Sequence, residues 1–154
     1  MVRYRPNVAI ILRREDGQIL VCERSDFPGA WQFPQGGVAP GETPTEALER
    51  EVLEEISLTP DAYRVVESKG PYRYRFDGDR TKEGCHGQEQ TYFLADFVGD
   101  EMAILAQPSA AEFQAAKWIR PEDFDLDWVA PMKREVYRNV FRDFFGVNLD
   151  ERKR

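Results

Sequence analysis

GGVAPGETPTEALEREVLEEISL, residues 36–58, sets a Gly-Gly pair just ahead of a segment with five glutamates between positions 46 and 55. Its start signal is strong: Thr43 can cap a helix, Pro44 fits the first turn, and Glu46 stands where it completes a capping box. At about 100° per residue, Leu48, Val52 and Ile56 fall on one apolar stripe, so the spacing predicts an amphipathic helix over about 44–56. Glu51, Glu54 and Glu55 share an arc of about 100° beside that stripe. Like charges at three- and four-residue spacings each cost a few tenths of a kcal/mol. Two of them also sit near the helix C-terminus, where the macrodipole disfavours anions. A solvated helix face with paired charges tolerates such a run. A bound divalent cation would reverse both penalties. With a single histidine in the chain, an all-oxygen ligand set favours Mg²⁺ or Mn²⁺ over zinc.

Outward from this helix, the chain reads as strands and one more helix. VAIILR (8–13) and QILVCER (18–24) are β-branched-rich runs joined by Glu15-Asp16-Gly17, the pattern of a hairpin. WQFPQGG (31–37) is extended, because Pro34 keeps Phe33 out of the helical region. YRVVESKGPYRYRF (63–76) and QTYFLADFV (90–98) predict two further strands, and KWI (117–119) a short last one. The stretch 77–87 between them is polar and Gly-rich and reads as a mobile loop. A final helix over about 131–145 begins at Pro131 and stops at Gly146, with Met132, Val136, Val140 and Phe144 as its core stripe. Strands, helix, strands, helix make a mixed α/β domain. One domain is expected over 1–148, with a basic disordered tail at 149–154.

The 154 residues suit one domain, and 42% hydrophobic with 12% aromatic content is enough for a core. The apolar run before Arg13 is too short for a signal segment or a membrane span, so a soluble cytoplasmic protein without membrane partners is expected. Cys22 and Cys85 lie far apart and form no metal-like pair. A net charge of −7, from 21 basic and 28 acidic residues, argues against a long nucleic-acid groove, since phosphate neutralisation drives such binding. It leaves room for a site that takes one or two nucleotides.

Residues 36–58 resemble the signature of the Nudix hydrolases: Gly36, Glu42, Arg50-Glu51, Val52, Glu54-Glu55 and Leu58 stand at the family's spacing, and only Ser57 replaces a glycine. The resemblance implies an α/β/α sandwich around a mixed β-sheet. It also implies hydrolysis of a nucleoside diphosphate linked to another moiety, on a loop-helix-loop that holds divalent cations. Carried over, Glu51, Glu54 and Glu55 are metal-binding carboxylates and the Gly36 backbone a further oxygen ligand, whereas Glu42 and Arg50 pair to hold the loop on the helix. A glycine at 57 would suit a left-handed helix end, where serine costs on the order of 1 kcal/mol. If Ser57 is left-handed, Ser57→Gly should raise the melting temperature.

YRPNVAI (4–10), WQFPQGG, GQEQTYFL (87–94), EFQAAKW (112–118) and MKREVY (132–137) narrow the resemblance to bacterial dinucleoside polyphosphate hydrolases and RNA pyrophosphohydrolases. It implies that Arg5 contacts phosphate, Glu112 joins the metal or catalytic shell, and Lys133 sits near the phosphates or first base. Each has an alternative as a plain surface charge. Tyr72, Tyr74 and Phe76 share one strand face; that face either stacks a base, with Tyr74 at the substrate, or packs the core. Trp31 and Trp118 read as core or pocket wall, and His86 as an ordinary surface residue. The reaction expected is in-line attack of water on phosphorus, with Glu54 as base and Glu112 as its rival. Substrates expected are dinucleoside polyphosphates or the 5′-triphosphate end of RNA. Alternatives are another Nudix activity (ADP-ribose, NADH or an oxidised nucleoside triphosphate) and a nucleotide sensor without catalysis. Metal number and oligomeric state are not legible in one sequence.

Overall fold

The uninterrupted apolar run VAIIL (8–12) can bury every side chain only if both faces of its strand are covered. In the computed structural model, which describes residues 1–150, this run is the core of β1 (Tyr4–Arg13). β1 sits near the middle of a seven-stranded sheet with β2 (Ile19–Arg24), β3 (Trp31–Gln32), β4 (Gln35–Gly37), β5 (Tyr63–Arg75), β6 (Gly87–Phe97) and β7 (Phe113–Ile119). The order is β3-β2-β1-β6-β5, with β4 also on β1 and β7 also on β2. β1 and β6 run parallel from Tyr4↔Gly87 to Arg13↔Asp96, while the other pairings are antiparallel. The sheet is therefore mixed.

Alternation along β1 splits the interior in two. Val8, Ile10 and Leu12 face α1 (Pro44–Ile56) and join Ala47, Leu48, Val52 and Ile56. Ala9 and Ile11 face α2 (Pro131–Phe145) and join Val136, Tyr137, Val140 and Phe141. The result is the expected α/β/α sandwich, and both helices have the predicted ends.

Three expectations need correction. The 8–13/18–24 hairpin exists only at its root: β1 and β2 pair at Arg13↔Ile19 and then part. β1's flank is taken further along by β4, at Asn7↔Gly37 through Ala9↔Gln35, and β2 is paired along its length by β7. The last strand begins at Phe113 rather than 117, because its partner β2 offers a full edge. Finally, Leu149 is buried in the α2-side core, so packing continues past 148; residues 151–154 of the expected tail lie outside the described residues.

Among the described residues no helix is long and apolar enough to cross a membrane.

Candidate active site

Phe33 starts the construction of the site. It is fully buried and stacks on Tyr137, Phe124 and Phe141, which anchors WQFPQGG to α2. The Pro34 carbonyl accepts from Ile10 N–H at 3.0 Å. Gln35, Gly36 and Gly37 are thereby laid along β1 and under α1. A Cβ on Gly36 would stand 2.0 Å from Glu51 Cδ, so only glycine lets this carboxylate lie on the strand. A Cβ on Gly37 would meet the Arg5 guanidinium at 2.1 Å.

The helix is locked onto that strand through Arg50. Its Nε and Nη2 donate to the two oxygens of Glu42 (2.7 and 2.9 Å), and Nη2 also donates to the Gly37 carbonyl at 2.9 Å. The Arg50 fork and the Ala39 N–H hold the Glu42 carboxyl down to about 2. This is the pairing expected for the two residues. The same guanidinium also reaches Glu51 at 2.7 Å and Glu54 at 3.4 Å through Nη1. Thr43 and Glu46 form the predicted capping box.

Glu55 differs from its neighbours. It is buried, and its Oε2 has no hydrogen-bond partner. Burial, then the charge of Glu51, pushes its carboxyl up to about 9; Glu112 adds to the effect and a backbone hydrogen bond with Gln35 opposes it. Glu112 lies in the segment before β7. Its position follows from the loop ahead of it, whose backbone caps α1: Ser109 and Ala110 N–H groups donate to the Glu54 carbonyl, and Leu105 N–H to that of Ile56.

A divalent cation fits this arrangement. The donors are hard oxygens, Glu55 Oε2 is unpartnered, Gly36 leaves space for Glu51, and a cation would offset the burial and the Glu51 repulsion that together raise the Glu55 carboxyl. Among the described residues no three acidic or histidine side chains are drawn together as a finished cage. Arg50 explains this, because it holds Glu51 and Glu54 to itself.

Beside the glutamates opens a cleft of about 420 Å³, lined by Arg24, Gln35, Tyr74, Arg80, Lys82, Glu112 and Lys133 among others. Lys133 lies at 5.9 Å over the Tyr74 ring. Burial, with Arg24 and Lys82 assisting, lowers its ammonium to about 8. Tyr74 is buried yet lines the cleft, with Tyr72 and Phe76 packed against the α2-side core, so the aromatic face serves mainly as core. Trp31 packs against that same core and Trp118 against the α1-side one. Arg5 lies on Gly37 and its Nε donates to Glu83 at 2.8 Å. His86 is more than a bland surface residue: its Nδ1 accepts from Arg3 N–H at 3.1 Å.

Sequence reasoning did not single out Arg24, Gln35 or Gln88. Gln35 stands inside the distinctive WQFPQGG and could have been flagged there. Gln88, whose buried Oε1 is unpartnered, likewise stands inside GQEQTYFL, whereas Arg24 has no local signal.

Residues 3–144 match the NUDIX domain. The chain belongs to the Nudix family. A relative from Erythrobacter litoralis described as an RNA pyrophosphohydrolase is 38% identical, covering 93% of this chain and 92% of the relative. One from Klebsiella pneumoniae with the same description is 36% identical over 95% of this chain and 85% of its own length. Among solved structures, a C. elegans Ap4A hydrolase binary complex aligns with a TM-score of 0.65 at 22% identity, covering 92% of this chain and 98% of that one. The E. coli dihydroneopterin triphosphate pyrophosphohydrolase aligns at 0.65 and 21%, covering 94% and 97%. These structural likenesses speak for the Nudix fold. Nudix hydrolases generally use divalent metals, and this Nudix enzyme is a pyrophosphohydrolase.

Proposed function

We infer that the enzyme removes pyrophosphate from the 5′-triphosphate end of RNA, with dinucleoside polyphosphates as the second substrate class. The observation that carries this reading is the cationic cleft opening beside the glutamate helix of an acidic protein. Local positive charge there selects a polyphosphate against the sign of the whole molecule. The full-length similarity to bacterial RNA pyrophosphohydrolases favours RNA over the dinucleotide.

In this reading Glu51, Glu54, Glu55 and the Gly36 carbonyl hold Mg²⁺, with Mn²⁺ as substitute. The cation would neutralise charge developing on the phosphate oxygens and lower the pKa of the attacking water. Glu54 is the general base. Its side chain is 42% exposed and only loosely held by Arg50, at 3.4 Å, which leaves it open to water, whereas Glu55 is shut in and Glu51, 16% exposed, is held by Arg50 at 2.7 Å. Glu112 adds negative charge at Glu55 and is the second candidate base. Arg5 and Lys133 bind phosphate, and Tyr74 forms part of the cleft wall. Glu42 and Arg50 keep loop and helix together. Both cysteines are free, in keeping with a cytoplasmic site of action.

The deciding experiment compares initial rates, in Mg²⁺, on a short 5′-triphosphorylated RNA and on diadenosine tetraphosphate. Faster conversion of the RNA to a 5′-monophosphate end supports the reading. Faster cleavage of the dinucleotide to ATP and AMP would make this a nucleotide-clearing enzyme. Failure to cleave either in Mg²⁺ or Mn²⁺ would overturn both.

A further inference from the structure

The loop between β5 and β6 ends in a strained, well-tethered tip. Lys82 N–H donates to the Cys85 carbonyl at 3.0 Å and Cys85 N–H to the Lys82 carbonyl at 2.9 Å. The two residues between them, Glu83 (φ 52°) and Gly84 (φ 76°), both occupy the left-handed region. Two-residue turns of this hand favour Asn, Asp or Gly, so a glutamate is held at Glu83 against its backbone preference. Such outliers persist where surrounding contacts over-determine them. Those contacts are present: His86 N–H donates to the Arg3 carbonyl at 2.7 Å, and Arg3 N–H returns a bond to His86 Nδ1 at 3.1 Å.

Held in this way, Glu83 delivers its carboxylate to Arg5, Nε to Oε2 at 2.8 Å. The pair is asymmetric. Arg5's side chain is 18% exposed, pressed on Gly37 beside the metal-binding strand, whereas Glu83's is 66% exposed. The guanidinium is part of the site, and its anion comes from solvent on a turn.

We propose that Glu83 is a specificity-determining residue: its carboxylate occupies the position on Arg5 that a substrate phosphate takes, so that anions are admitted in order of their charge. An exposed ion pair is weak and its carboxylate is readily resolvated. A polyphosphate can also be held by Arg24, Arg80, Lys82 and Lys133 of the neighbouring cleft, so its binding depends less on displacing Glu83. Inorganic phosphate or a monophosphate product displaces it poorly, and the returning carboxylate helps clear the product. This inference rests on the reading that Arg5 contacts phosphate.

Calorimetric titration of the purified protein with inorganic phosphate and with tripolyphosphate, without metal, tests it directly. Glu83→Gln should tighten inorganic phosphate about two- to fivefold and tripolyphosphate less, so that discrimination between them narrows. Glu83→Asn, which suits the left-handed turn, should do the same, separating charge removal from loop damage. In an Arg5→Gln background the gain should vanish. No change in Glu83→Gln, or an equal gain with Arg5 already replaced, overturns the proposal. Hydrolysis is not the readout, so the two readings fail separately: a protein that cleaves neither substrate but shows the Arg5-dependent gain keeps this role for Glu83, and an active enzyme without that gain loses it.

Discussion

Glu55 is the residue at which burial and charge conflict most directly. Its carboxyl is raised to about 9 in the folded protein against an ordinary value of 4.5. Between those values the folded chain binds a proton that the unfolded chain releases, so stability must fall as pH rises through this window. In metal-free buffer the melting temperature should therefore drop from about pH 5 to about pH 9, and Glu55→Gln should flatten the profile. The variant should melt several degrees above the parent at the alkaline end and alongside it near pH 4.5. A flat parental profile would count against a protonated Glu55. Glu54 answers to a different test. As general base, Glu54→Gln should lower kcat by about two or more orders of magnitude with substrate affinity largely kept; near-parental turnover would pass the role to Glu112. At Gly36 the obstacle to a Cβ is the flexible end of Glu51. Gly36→Ala should accordingly leave the fold stable while displacing that carboxylate, weakening Mg²⁺ activation about 10- to 100-fold in a metal titration.

At the scale of the element, the C-terminus of α1 shows a local rule met by a tertiary compensation. Ser57 is left-handed (φ 70°, ψ 17°), as the missing glycine suggested. Its hydroxyl, however, accepts from Gln107 N–H at 2.9 Å, in the loop that also caps the Glu54 and Ile56 carbonyls. Glycine would relieve on the order of 1 kcal/mol of backbone cost and forfeit a hydrogen bond of similar worth. The earlier expectation of a higher melting temperature for Ser57→Gly is thus revised to near-neutral. Ser57→Ala keeps the strain and loses the bond, so urea unfolding should place it about 1 kcal/mol below the parent. Since the same loop leads to Glu112, this variant should also lower activity more than its stability loss alone explains.

Across the whole molecule, an acidic body encloses a basic cleft. Nucleic acid beyond the cleft meets a protein whose whole chain carries a net charge of −7, so affinity should come from the first few phosphates alone. KM for 5′-triphosphorylated RNA should stop improving once the chain exceeds a few nucleotides. The salt dependence of kcat/KM should correspond to about two to three neutralised phosphates and stay constant with RNA length. A slope that grows with length would reveal an extended groove.

The amino-acid sequence by itself determined both helices, their ends, the mixed α/β class and the glutamate cluster proposed to hold the metal. The reason is that caps, 3.6-residue stripes and the spacing from Gly36 to Leu58 are properties of contiguous residues. It did not determine which strands pair. The parallel β1–β6 register, the parting of β1 from β2, and the burial of Leu149 depend on which edges remain free after distant segments pack. Only the tertiary structure decided that Arg24, Arg80, Lys82 and Lys133 share a cleft, that the segment before Glu112 caps α1, and that Glu83 faces Arg5. Those contacts join residues dozens of positions apart, where a side chain's partner is chosen by the fold around it and leaves no periodic trace in the chain.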